Sequence, residues 1–187
     1  MADPQPSDKN SDMETTPQAA PHEPLYIHNG GIVLLWLFLD RYFNKLELQE
    51  KGAFLGEGQQ QRAVYLLHYL SHGTFEAPAH ALALNKLLCG MDVAAPVEPG
   101  GALTEQEQQF SAQVLQTVLQ HWSVLGNTSV DGLREVFLQR AARLVQEDHQ
   151  WCLRVERANV DVLMDRLPWS FSTIRLPWMK CALKVSW

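Results

Sequence analysis

The sequence has no basic cluster and no long apolar run, and each absence excludes a class of protein. There is no five-residue basic run anywhere, and the formal net charge is −6 with a pI near 5.6. Because binding to a phosphate backbone needs clustered Lys and Arg, nucleic acid is not expected as a partner. The longest strictly apolar run, Ile32–Leu39, is far shorter than the roughly 20 residues that a membrane span needs.

Cysteine is also scarce, which argues against a disulfide framework. The three cysteines, Cys89, Cys152 and Cys181, are an odd number at irregular spacing. The acidic, proline-rich N-terminus lacks the basic start and apolar stretch of a signal peptide. We therefore expect a soluble, cytoplasmic protein. Cys89 and Cys181 lie on the apolar faces of their predicted elements, so each is expected to be a small buried side chain and not a nucleophile.

The chain divides into a tail and one domain. Residues 1–24 contain five prolines, scattered acidic residues and almost no large apolar side chains. Such a segment cannot bury enough apolar surface to offset the entropy of ordering it, so we expect an acidic, disordered tail. Residues 25–187 are long enough to bury a core of their own and are expected to form one globular domain.

Apolar residues at helical spacing predict about five helices in this domain. The first is apolar on nearly all sides at its start, which is typical of a central, covered helix. Thr104 and Glu107 form a capping-box pattern at the start of the fourth. The predicted helices span Ile32–Leu46, Gln59–Leu70, Pro78–Leu88, Thr104–Leu125 and Val130–Gln146.

The period changes from helical to alternating after Asp148. Trp151–Val155 alternates apolar and polar residues, as Met179–Trp187 does even more clearly, and Ser172–Leu176 is predicted as a short strand between them. The expected fold class is therefore α+β, with about five packed helices followed by a small antiparallel β-sheet at the C-terminus.

Three histidines are the best candidates for a metal site. His68 and His72 lie four residues apart on a predicted helix, as zinc ligands often do, and His80 follows. No glutamate follows His68 directly, so the HExxH pattern is absent. The alternative is a surface pair near a helix end, where positive charge suits the helix dipole. No catalytic residue, cofactor or metal is expected, since the Gly-Gly pairs also match no nucleotide-binding fingerprint.

Tryptophan is concentrated at the C-terminus, where Leu-Pro-Trp occurs twice. Trp169 and Trp178 each follow Leu-Pro, which fixes the backbone and places a rigid aromatic ring at a turn. Cores and protein interfaces both favour such residues, so two interpretations stay open for this pair. We take Trp169 and Trp178 as the candidate residues for contact with a protein partner.

Six segments stand out in order along the chain: Ile27–Leu35, Arg62–Leu70, Leu84–Gly90, His121–Trp122, Asn127–Arg140 and the two Leu-Pro-Trp tripeptides with Met179. Together they resemble the conserved C-terminal region of contractile injection system tape measure proteins, which belong to phage-tail-like particles. The resemblance covers about Leu25 to Trp187. At Leu37-Phe38-Leu39-Asp40 the chain departs from the Pro-Phe-Leu-Pro that relatives typically carry.

The resemblance implies a non-enzymatic structural or assembly component of such a particle, with baseplate, tube or terminator proteins as partners. Tape measures are usually much longer, and even a wholly helical chain of this length would span only about 280 Å. A compact domain of this size would be about 40 Å across, so the resemblance implies the globular part without a ruler. The alternatives are a cytosolic adaptor or chaperone for a longer tape measure or a cargo, and a metal-dependent enzyme built on the three histidines.

Overall fold

The computed structural model describes residues 23–187 and has α+β architecture, as predicted. The described residues contain five α-helical segments, several of them extended by 3₁₀ or π turns, so the helical part is more divided than the five helices predicted. The α-helices are α1 (Trp36–Lys45), α2 (Glu57–His72), α3 (Ala83–Leu88), α4 (Glu105–His121) and α5 (Val130–Leu133). The 3₁₀ segments are Gly30–Leu35, Ala79–Leu82, Ser123–Leu125 and Asn159–Arg166, and a π-helical turn spans Arg134–Leu138.

The strands of the described residues are β1 (Leu25–Ile27), β2 (Gln49–Glu50), β3 (Ala53–Phe54), β4 (Ala142–Glu147), β5 (Gln150–Val155), β6 (Thr173–Ile174) and β7 (Leu183–Ser186). Five of them form one mixed sheet in the order β1-β4-β5-β7-β6, and β2 and β3 form a small hairpin. The predicted C-terminal antiparallel sheet is wrong in two respects. The first strand comes from the N-terminal end of the domain and pairs with β4, and β5 and β7 run parallel.

The parallel pairing follows from the long connection between β5 and β7. A two-residue hairpin would force an antiparallel pair, but the 27 residues between Val155 and Leu183 cross back over the helices before β7 begins. Alternation along β7 is as predicted at Leu183 and Val185, which are both buried. Cys181 precedes the strand and is exposed, so its predicted burial is wrong.

The central position of the first helix is confirmed, although its form differs from the prediction. Residues 30–35 are all buried and form 3₁₀ turns, and the α-helix begins only at Trp36. Gly31 lies against the π-helical turn so closely that an added Cβ would stand 1.6 Å from the carbonyl oxygen of Phe137. The absence of a side chain at Gly31 therefore allows the close packing of two backbone segments.

The predicted fifth helix, Val130–Gln146, is wrong beyond Leu138. Ser129 caps α5 as expected, accepting from the Gly132 N–H at 3.0 Å. After the π-helical turn the chain becomes β4, which pairs with β1 on one side and β5 on the other. The turn between β4 and β5 is Asp148-His149, with φ of +47° and +64°, which matches the type I′ geometry of tight hairpins.

Two arginine–carboxylate pairs join elements across the fold. Arg62 on α2 binds the carboxylate of Glu107 on α4 and donates to the carbonyls of Pro99, Gly101 and Ala102. The capping box of Thr104 and Glu107 is present as predicted. Arg140 makes a bidentate pair with Asp161 at 2.7 and 3.0 Å. Burial would raise the pKa of both acids, but the hydrogen bonds from the arginines and from backbone N–H groups hold each pKa below its ordinary value.

The predicted disorder of residues 1–24 falls almost wholly outside the described residues, and the boundary at residue 25 stays a prediction. Within residues 23–187, none of the helices has the length and apolar character needed to cross a membrane.

Candidate partner-contact surface

The first Leu-Pro-Trp turn is tied to the start of α1 by two reciprocal hydrogen bonds. The half-buried Trp169 donates its indole N–H to the Leu34 carbonyl at 2.9 Å, and Trp36 donates to the Ser170 carbonyl at 2.9 Å. The Trp169 ring also meets Phe38 edge-on, with 5.2 Å between ring centroids. These contacts hold the turn rigidly and leave part of the Trp169 ring at the surface.

The second Leu-Pro-Trp turn is fixed in the same manner to α3 and α1. Trp178 is half-buried and donates its indole N–H to the Leu88 carbonyl at 2.8 Å. Its ring packs on Phe43 and Phe54 at centroid distances of 5.7 and 5.1 Å. Gly90, at φ +74°, passes so close that an added Cβ would lie 2.4 Å from the Trp178 carbonyl oxygen.

Both candidate tryptophans therefore contribute to the core and are only partly exposed. Leu176 is buried and Leu167 half-buried, while Pro168 and Pro177 face solvent. Contact between a partner and the exposed parts of Trp169 and Trp178 stays a prediction. What the sequence could not indicate is that each turn stands beside a surface cleft.

The first cleft, called here the α1–α4 cleft, has a volume of about 360 Å³. Trp169 supports it from behind, because Phe38 forms one wall and lies between Trp169 and His121. Its base includes the buried Tyr42, whose hydroxyl bonds Ser111 at 2.7 Å. The lining residues are Leu37, Phe38, Arg41, Tyr42, Lys45, Phe110, Gln113, Val114, Thr117 and His121.

The second cleft, of about 370 Å³, lies between the end of α3 and the sheet. The residues that follow Trp178 form one wall, from Met179 to Leu183, and Trp151 of β5 contributes to another. Its charged lining residues are one acid and one base, Asp92 and Lys180, so the cleft has no dominant sign.

The three histidines are not brought together as a metal site. His68 and His72 stack with 4.3 Å between their ring centroids, but His80 is exposed on the 3₁₀ segment Ala79–Leu82 that follows. Among residues 23–187 no group of three or more metal-ligating side chains lies close enough to hold an ion.

The interpretation of His68 and His72 as a charged surface pair is wrong for His68. That ring is buried, and burial followed by the nearby His72 lowers its pKa to about 4. Its Nδ1 has no hydrogen-bond partner within the described residues. His68 is therefore neutral at pH 7 and cannot serve the helix dipole.

The thiol of Cys89 is not activated. Cys89 is fully buried as predicted, and burial raises the pKa of its thiol well above the ordinary value, which keeps it protonated.

Sequence reasoning missed the residues that line the α1–α4 cleft. A signal was present: Arg41 and Lys45 are four residues apart on one helix, and the outward positions of α4 after its first turn carry glutamine with no acid. In the sequence alone, exposed charges on one helix indicate an ordinary solvated face. Only the packing of α1 on α4 shows that these charges line a cleft.

The described residues thus form an α+β domain with two clefts lined mainly by apolar residues, each beside a rigid aromatic turn. The family model described as contractile injection system tape measure protein matches residues 1–187, the whole chain. The chain therefore belongs to the contractile injection system tape measure protein family. Neither the search of curated proteins nor the search of solved structures gives a significant match.

Proposed function

We propose that this chain is a non-enzymatic assembly component of a phage-tail-like contractile injection particle and acts by docking to baseplate, tube or terminator proteins. The observation that carries the proposal is the family match over all 187 residues. The two Leu-Pro-Trp turns support it, because rigid, partly exposed tryptophans beside apolar clefts are what protein interfaces favour.

A role in docking fits the folded shape better than a role as a ruler. The sheet joins strands from both ends of the described chain, and hydrogen bonds between residues more than 130 positions apart close the domain. Extending such a domain along a tube would require breaking those bonds and exposing its core. The globular part is therefore proposed to position or start the tube.

Deletion of the gene tests the proposal directly. We expect particles that are fewer or of abnormal length by electron microscopy, with restoration when the gene is supplied in trans. Full-length particles in normal number would contradict the proposal. Presence of the chain in pelleted, purified particles is also expected; if it occurs only in the supernatant, an adaptor or chaperone role becomes the better account.

Substitution of the two tryptophans tests the contact surface within this proposal. Trp169→Ala or Trp178→Ala is expected to abolish particle assembly while the purified variant keeps a cooperative thermal transition. Trp187→Ala is the matched control, because Trp187 is half-buried in the same segment and packs on Phe171, which lines neither cleft. By contrast, Trp169 packs on Phe38 and Trp178 lies against Gly90, and each of these neighbours lines a cleft. If the variants at positions 169 and 178 lose thermal stability and still support assembly, both tryptophans act only in the core.

A further inference from the structure

The α1–α4 cleft has a positive rim in a protein of net charge −6. Arg41 and Lys45 are both exposed, and no carboxylate is among the residues that line the cleft. Within residues 23–187 neither side chain forms an ion pair, although four other ion pairs are present. These two cations are therefore available to an acidic partner.

The lining of the cleft includes apolar side chains that are open to solvent. Leu37 is 48% exposed, and Phe38, Phe110 and Val114 are half-buried. Lys45 stands over the Phe110 ring, with Nζ 5.2 Å from the ring centroid. A partner that covered these side chains would be stabilised by the hydrophobic effect. No segment among residues 23–187 fills the cleft, so the partner would not have to displace one.

The shape of the cleft fits a helix. Phe38 near the start of α1 lies beside His121 at the end of α4, and Lys45 at the end of α1 lies beside Phe110, so the two helices run antiparallel. The α4 wall presents Phe110, Val114, Thr117 and His121, a stripe at helical spacing. The stripe covers 12 residues, and the 11 steps between its ends make it about 16 Å long, which corresponds to three turns of a third helix.

We propose that the α1–α4 cleft binds an amphipathic helix of a partner protein, with acidic side chains beside its apolar stripe that meet Arg41 and Lys45. The apolar stripe packs on Leu37, Phe110 and Val114 between the two helices, in the helix-in-groove mode of recognition. The acidic residues supply charge complementarity, which increases the association rate and selects the orientation of the helix.

A second copy of the chain fits this cleft less well. In a two-fold interface the same patch meets itself, which would place Arg41 and Lys45 near their own equivalents. Two cations in an acidic chain are also too few to hold nucleic acid. The charge pattern therefore selects an acidic helix from another protein.

The test uses the purified full chain and a displayed library of 18-residue helices. The library fixes leucine at positions spaced i, i+3, i+4 and i+7 and randomises the other positions among Glu, Lys, Gln and Ala. Selected helices are expected to have an excess of Glu beside the leucine stripe, and fluorescence anisotropy then measures their affinity at two salt concentrations. We expect weaker binding at higher salt.

Charge-reversal variants locate the site. Arg41→Glu with Lys45→Glu is expected to weaken binding of the selected helices by at least about tenfold, which corresponds to 1.4 kcal/mol. Arg175→Glu with Lys184→Glu is the matched control, because it makes the same charge change at exposed positions that line neither cleft. This control is expected to retain wild-type affinity within about twofold.

Several outcomes would overturn the inference. They are a library that yields no helix binder, binders without an excess of Glu, and equal loss of affinity in both double variants. A dimer of the free chain that the change at Arg41 and Lys45 converts to a monomer would instead assign the cleft to a second copy. None of these results bears on particle assembly, so the inference and the proposed function can fail separately.

Discussion

Four indole rings connect distant parts of the chain by donating to main-chain carbonyls. Trp36, Trp169 and Trp178 reach carbonyls 134, 135 and 90 positions away, and Trp122 bonds the Leu163 carbonyl at 3.1 Å. Each bond satisfies a polar group of a large, buried or half-buried ring. The sequence indicated rigid tryptophans at turns, but it could not identify the acceptors, because a backbone carbonyl leaves no trace in the sequence.

His68 makes the stability of the fold depend on pH at values above those at which carboxylates usually titrate. Its pKa in the folded state is about 4, below the ordinary value of 6.5, so the unfolded chain binds more protons between these values. Stability therefore falls as pH decreases from 6.5 towards 4. The stacked neighbour His72 also has a lowered pKa, mainly through burial, and acts in the same direction.

We expect the thermal midpoint to decrease steadily between pH 7 and pH 4.5, as measured by circular dichroism. His68→Gln removes the titrating group and should make this part of the profile flatter. His80→Gln, at an exposed histidine, should leave the slope unchanged. A wild-type thermal midpoint that stays constant over this pH range would show that protonation of His68 does not destabilise the fold.

At the scale of elements, the contact between the first 3₁₀ segment and the π-helical turn is the tightest backbone approach among the glycines described. Gly31→Ala would place a methyl group 1.6 Å from the Phe137 carbonyl oxygen, an overlap that only backbone movement can relieve. We expect a loss of about 3 kcal/mol or more in the free energy of unfolding, measured by urea denaturation.

Gly58→Ala is the matched control for this substitution. Gly58 lies in the first turns of α2, and no atom lies within 4 Å of an added Cβ. Alanine there should stabilise the protein by up to about 1 kcal/mol, because it restricts the unfolded chain and favours the helix. Similar urea midpoints for the two alanine variants would contradict the close packing at Gly31.

The elements that sequence predicted well are those set by local chemistry. The capping box at Thr104 fixes the start of α4, and apolar periodicity locates α2. The helix predicted over residues 142–146 is wrong, and the error arises because Leu144 continues the helical spacing of Leu133 and Phe137. Residues 142–147 form a strand because they pair with β1 and β5. Leu25, at the start of β1, lies 117 positions before Ala142, so the pairing with β1 cannot be inferred from the local sequence.

The same reasoning explains the limits of prediction at the candidate site. Trp169 and Trp178 were identifiable as rigid aromatic turns, yet the clefts beside them form between helices and loops that are remote in sequence. Arg41 and Lys45 gain the role proposed above only because α1 packs against α4, which brings them into one cleft with Phe110 and Val114.

At the scale of the whole molecule, the ion pair of Arg62 and Glu107 joins α2, α4 and the loop between α3 and α4. Burial alone would raise the pKa of the Glu107 carboxyl, but hydrogen bonds from Arg62 and Thr104 lower this pKa below the ordinary value of 4.5. A lowered acid pKa stabilises the fold above that value, and the stabilisation is lost as pH falls through the pKa of the folded state.

We expect Glu107→Gln to lower the free energy of unfolding at pH 7 by about 2 kcal/mol, since it removes a charged partner from Arg62 while still allowing the helix cap. The difference from wild type should shrink below pH 4.5. Glu105→Gln, at an exposed position two residues earlier in the same helical turn, is the control and should change stability little at either pH. A constant difference at all pH values would rule out the charge as its cause.

The buried segment Gly30–Leu35 has a consequence for synthesis on the ribosome. Its covering elements include the π-helical turn near Phe137 and the Trp169 turn, whose bond to Leu34 spans 135 positions. The ribosome adds about 5–20 residues per second, so about 7 to 27 s pass between the synthesis of this apolar stretch and the synthesis of the Trp169 turn. The nascent chain is therefore most prone to aggregate before translation ends, and folding of this domain is completed only when its last strand has been made.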